Sequence, residues 1–141
     1  MYVIDAQNKQ HYQKFEGPPY TGPRFPPVQP DEQGHFDHVK PGQREFSSTT
    51  MFATVRRVMD IWEDYFNQSI PWYFRLRFPK LLLIPRVNWD NAQSGLGFLE
   101  FGYGRKEDDS IDYDNPYCEN FDVLAHEAGH MIKNSIIGLP E

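Results

Sequence analysis

At 141 residues, 39% hydrophobic and 24% charged, the chain has the size and balance of one folded domain, and the composition suits a globular protein better than a disordered one. A net charge of -6, with basic residues scattered apart from pairs such as Arg56-Arg57 and Arg105-Lys106, argues against a nucleic-acid partner. The longest apolar run, Leu81-Leu82-Leu83-Ile84, is too short to span a membrane, and a single cysteine, Cys118, excludes an internal disulfide.

The opening Met1-Tyr2-Val3-Ile4-Asp5 shows no basic stretch followed by an apolar segment, so no signal peptide is expected there and the compartment stays open. Residues 8 to 47 hold seven of the twelve prolines and show no periodicity. That composition predicts an extended arm. Its aromatics, Tyr12, Phe15, Tyr20, Phe25 and Phe36, exceed what a free linker needs, so residues 1–47 are expected to pack on a body formed by 48–141.

From Thr49 to Phe66, Phe52, Val55, Met59, Trp62 and Phe66 recur at helical spacing, with Ser48 or Thr49 as N-cap. Between Pro71 and Pro79, Trp72 to Phe78 suggests a strand, and Lys80 to Val87 suggests another, limited by Pro85. Leu96 to Phe101 is a short apolar strand entering a glycine-rich turn. The following Glu107-Asp108-Asp109, Asp112 and Asp114 read as a solvated acidic loop without the ligand spacing of a calcium hand. The last helix is expected to start after Asn120, a good N-cap, with Asp122 favoured by the helix dipole in its first turn. Phe121, Ala125, Ala128, Ile132 and Ile136 mark its apolar stripe, and Gly138 and Pro140 stop it.

This helix carries His126-Glu127-Ala128-Gly129-His130. Histidines four residues apart project from neighbouring turns, so both imidazoles can reach one tetrahedral zinc ion. Glu127, one step round the helix, is placed as general base toward the attacking water of a peptide hydrolysis. A third protein ligand is needed. Glu141 follows helix-stopping residues and is a poor one; His35, His38, Cys118 and the acidic loop are weak alternatives.

The sequence resembles the thermolysin-like gluzincin metallopeptidases beyond the motif. "NFDVLAHEAGHMIKNSIIGL" is similar to their active-site helix, "VNWDNAQSGLGFLEFGYG" to their edge strand and following turn, "TTMFATVRRVMDIWEDYF" to the preceding long helix, and "YVIDA" to a strand near the start. The proline-rich arm has no clear counterpart, and Gln93-Ser94-Gly95 replaces the aromatics usual after the family's Asn-Ala pair. The resemblance implies an α+β fold: a twisted, mainly antiparallel sheet packed with helices, zincin-like, of the thermolysin N-terminal subdomain type. It makes His126 and His130 zinc ligands, Glu127 the catalytic base, and Asn91 and Ala92 the lining of a cleft where an extended peptide adds to the edge strand. It also implies a third ligand, a glutamate beyond residue 141, in a C-terminal helical subdomain that partners this one. The expected function is therefore that of a zinc peptidase acting on peptides or proteins. A catalytically inactive peptide-binding module on a degenerate version of the fold is the alternative, and retention of Glu127 argues against it. On this reading the 141-residue chain by itself is inactive.

Overall fold

The computed structural model describes residues 1–139. Two helices cover one face of a small mixed sheet, and the proline-rich arm covers the other. The class is α+β. No helix among the described residues is long and apolar enough to cross a membrane.

The sheet contains β1 (Tyr2–Val3), β2 (Leu82–Ile84), β3 (Ala92–Gly95) and β4 (Phe98–Phe101) in the order β1-β2-β4-β3. β2 runs parallel to both β1 and β4, and only β3 is antiparallel to its neighbour. The expectation of a mainly antiparallel sheet is thus corrected for this sheet to a mixed one. The reason can be seen in β2: Leu81 to Ile84 are completely buried. A continuous apolar run without alternation is the signature of a parallel strand covered on both faces. A separate antiparallel hairpin joins β5 (Tyr103–Arg105) to β6 (Ile111–Pro116), with the acidic loop as its exposed turn.

Alternation along the strands divides the interior in two. Leu81, Leu83, Ala92, Leu99 and Phe101 meet the helices, while Leu82, Ile84 and Phe98 meet the arm side with Ile4 and Ala6. Helix α1 (Arg44–Phe66) starts five residues before the expected Thr49, with Gln43 at the cap position and no side-chain cap. Ser47 and Ser48 are buried within the helix. The Ser47 hydroxyl accepts two hydrogen bonds from Arg86, at 3.0 and 2.7 Å, so it serves tertiary packing rather than capping. Met51, Val55, Val58 and Met59 form its buried face, while Phe52 and Trp62 stay about 40% exposed.

Trp72 to Phe78 does not form a strand. It folds into successive turns in which the Arg75 amide donates to Trp72 and the amides of Arg77 and Phe78 both donate to Phe74. Backbone donors satisfied this locally have no ladder to join. Only Phe74 of this aromatic run is fully buried.

The arm is fixed by long-range polar contacts. Arg44 donates to both carboxylate oxygens of Asp5 at 2.8 Å, and Ala6 bridges Arg24 in antiparallel pairing. His11 stacks on Trp89 with ring centroids 4.0 Å apart. Lys9 reaches through to Glu100 in the centre of β4.

Candidate functional site

Helix α2 (Phe121–Ile137) follows a single 3-10 turn at Tyr117–Glu119. Asn120 caps it as expected: its side-chain oxygen accepts from the Asp122 and Val123 amides, and Gly138 closes the far end with a backbone bond to Asn134. The buried face differs from the expected stripe. Leu124, Glu127, Ala128, Met131 and Ile132 point inward, whereas Phe121 is 57% and Ile136 39% exposed. The helix packs on both α1 and β3, with Glu127 at the edge of the buried face beside Ser94 of β3.

His126 and His130 lie on the exposed side of α2, with their Nε2 atoms 3.1 Å apart and their ring planes at 89°. Two nitrogens on one tetrahedral zinc, each about 2.0–2.1 Å from it, are separated by about 3.3 Å. The two imidazoles therefore fit a shared zinc through the donor atoms and separation such a site uses. With one Nε2 protonated, the same pair forms an N–H···N hydrogen bond.

Glu127 is only 9% exposed and lies between the histidines and β3. Burial pushes its carboxyl above the usual carboxylate range, while His130, His126 and a hydrogen bond from the Ser94 backbone N–H act in the opposite direction. A carboxylate held in this setting can accept a proton from water and return it.

Among the described residues β3 pairs with β4 alone, so no strand covers its other, open edge. Ala92 and Ser94 lie on the helix side of this strand; Gln93 and Gly95 lie on the arm side, in register with Glu100 and Phe98 of β4. Asn91 is exposed just ahead of the strand. Its side-chain oxygen accepts from the Ala92 amide at 2.8 Å, and its carbonyl accepts from the Gly102 amide at 2.8 Å. Gly102 is required here: a Cβ would come within 2.1 Å of the Trp89 carbonyl oxygen. Asn91 and Ala92 are thus fixed at the start of the open edge, with Ser94 between them and Glu127.

One residue that holds these parts together escaped the sequence reading. Tyr73 accepts nothing from the sheet but spans from β3 to α2: its amide donates to the Ser135 hydroxyl at 3.1 Å and its Oη donates to the Gly95 carbonyl at 3.2 Å. Its position in an apparent strand concealed this role.

No group of three His, Cys, Asp or Glu side chains suited to a metal forms among the described residues. His35 and His38 are exposed on the arm. Cys118 is fully buried, and burial pushes its thiol up to about 12. Glu141 and Pro140 lie outside the described residues. Comparison with family models, curated proteins and solved structures returns no match.

Proposed function

We propose that this chain forms the part of a zinc-dependent metallopeptidase of the gluzincin type that carries the active-site helix and the substrate-binding edge strand. The observation that supports this most is the convergence of the His126 and His130 Nε2 atoms to 3.1 Å beside the buried carboxylate of Glu127, which borders an open strand edge. A surface histidine pair alone would be unremarkable without that carboxylate and edge.

On this reading His126 and His130 hold zinc, and a glutamate outside residues 1–141 completes the ligand set, as the gluzincin pattern implies. Zinc bound there supplies a Lewis acid that polarises the peptide carbonyl and acidifies the attacking water. The backbone of β3, from Asn91 and Ala92 onward, aligns an extended peptide by strand addition. Glu127 accepts the proton of the attacking water and passes it to the leaving amine nitrogen. The exposed Phe121, Ile136, Ile137 and Leu139 at the two ends of α2 suit contact with the remaining helical subdomain of such an enzyme.

The test is peptide hydrolysis by protein that carries the downstream subdomain, compared with its Glu127→Gln variant. Retained zinc with a rate lower by a factor of about 100 or more supports the assignment, because general-base removal costs that much. Equal rates remove Glu127 from the chemistry. Peptide binding with no hydrolysis in the parent protein favours the inactive peptide-binding module.

A further inference from the structure

The arm side of β3 carries a second feature that the catalytic residues do not use. A cleft of about 720 Å³ lies between arm residues 12–18, the turn at Arg77 and Phe78, and the arm-facing positions Gln93 and Gly95. It is lined by two cations, Lys14 and Arg77, neither of which forms an ion pair among the described residues. Each lies by an aromatic ring, Lys14 Nζ at 5.1 Å from the centroid of Phe15 and the Arg77 guanidinium at 5.4 Å from that of Phe78. Glu16, also on the lining, is engaged: it accepts from the Gln13 amide at 2.7 Å. Glu16 keeps its negative charge, so with Lys14 and Arg77 the lining carries a net positive charge of one in a chain of net charge -6.

Phe15 is 95% exposed and has a φ of 73°, a left-handed conformation that an aromatic residue rarely adopts. The turn around it is closed by Gln13 and Glu16, which bond each other through backbone and side chain. Backbone outliers of this kind cluster at active sites and ligand clamps, and this exposed ring stands at the cleft wall.

The position of the cleft relative to β3 determines what it can receive. A peptide extended along the open edge of β3 turns alternate side chains to opposite faces of the sheet. One set points toward α2, with Ala92 and Ser94. The other points toward the arm, with Gln93 and Gly95, and so toward the cleft. We propose that the arm and Arg77 form a side-chain subsite that selects an acidic residue of a peptide bound along β3, with Lys14 and Arg77 pairing its carboxylate and Phe15 and Phe78 covering its methylene stem. This rests on β3 being the substrate strand, and adds a specificity element in the arm.

The test uses the 141-residue chain, labelled with nitrogen-15, and blocked hexapeptides of alanine and serine carrying one Glu, Gln or Lys at each position in turn. Titrations are followed by amide shifts, which need neither zinc nor turnover. One Glu position is expected to bind about two- to tenfold more tightly than its Gln counterpart, as two partly solvated ion pairs allow, with shifts at both Ser94 and Phe15. Added salt should erase that margin, and Lys14→Glu with Arg77→Glu should transfer the preference to Lys. Shifts along β3 with no difference between Glu and Gln would overturn the subsite while leaving the substrate strand intact. No shifts along β3 for any peptide would overturn both.

Discussion

The Lys9 ammonium meets the Glu100 carboxylate at 2.8 Å, with side-chain exposures of only 6% and 0%, across 91 positions of sequence. Glu100 also accepts from the Tyr12 amide at 2.7 Å and from the Gln93 side chain, and Lys9 lies 3.4 Å over the Tyr12 ring. Two residues lining the arm cleft, Tyr12 and Gln93, are therefore tied to one buried charge. Removing Lys9 leaves Glu100 uncompensated in the sheet, so Lys9→Met should lower unfolding free energy by about 3–5 kcal/mol. Replacing both residues, as Lys9→Met with Glu100→Met, should cost clearly less. Urea denaturation of the two variants checks this, and equal losses would mean that the pair's partners, not the pair, are what matters.

Cys118 is buried beside Ser47, and its thiol stays protonated to about pH 12. Native protein at pH 8 should therefore resist thiol reagents, with reaction following unfolding. The unfolded chain releases this proton in the ordinary thiol range near 8.5. Above that range the unfolded state binds fewer protons than the folded one, so stability is complete below it and declines as pH rises toward 12. Cys118→Ala should flatten the first part of that decline. Denaturation midpoints at pH 7, 8.5 and 9.5 in parent and variant give the comparison.

Asn120 stops two amides of α2 from being left unpaired. Asn120→Ala should cost about 1 kcal/mol, whereas Asn120→Asp should cost little, since both caps accept from the same amides. Thermal unfolding measures both. Equal losses in the two variants would show that packing, not capping, sets the start of the helix.

Local signals in the sequence carried the ends of α2 well: Asn120, Phe121 to Ile137 and Gly138 sit where capping chemistry puts them. The motif's geometry was legible for the same reason, since spacing within a helix fixes which side chains are neighbours. Distant partners were not. Which face of α2 is buried depends on α1 and β3, so Leu124 and Met131 rather than Phe121 and Ile136 form its core side. The parallel pairing of Tyr2 and Val3 with Leu82 and Leu83 joins segments some eighty positions apart, beyond the reach of any local pattern. Trp72 to Phe78 resembled a strand because aromatic bulk is common to strands and to tightly packed turns. The arm's role could be anticipated only as packing, because the partner that defines it, Glu100, has no marker in its apolar neighbourhood.

The central claim is that His126 and His130 bind one zinc ion while Glu127 does not. It is tested most directly by zinc titration calorimetry on the 141-residue chain, its Glu127→Gln variant and the His126→Ala and His130→Ala variants. With only two imidazoles supplied, binding by the parent chain should be weak but of one-to-one stoichiometry, retained in Glu127→Gln and lost in each histidine variant. Binding that survives in both histidine variants, or that is lost with Glu127→Gln alone, would contradict the account.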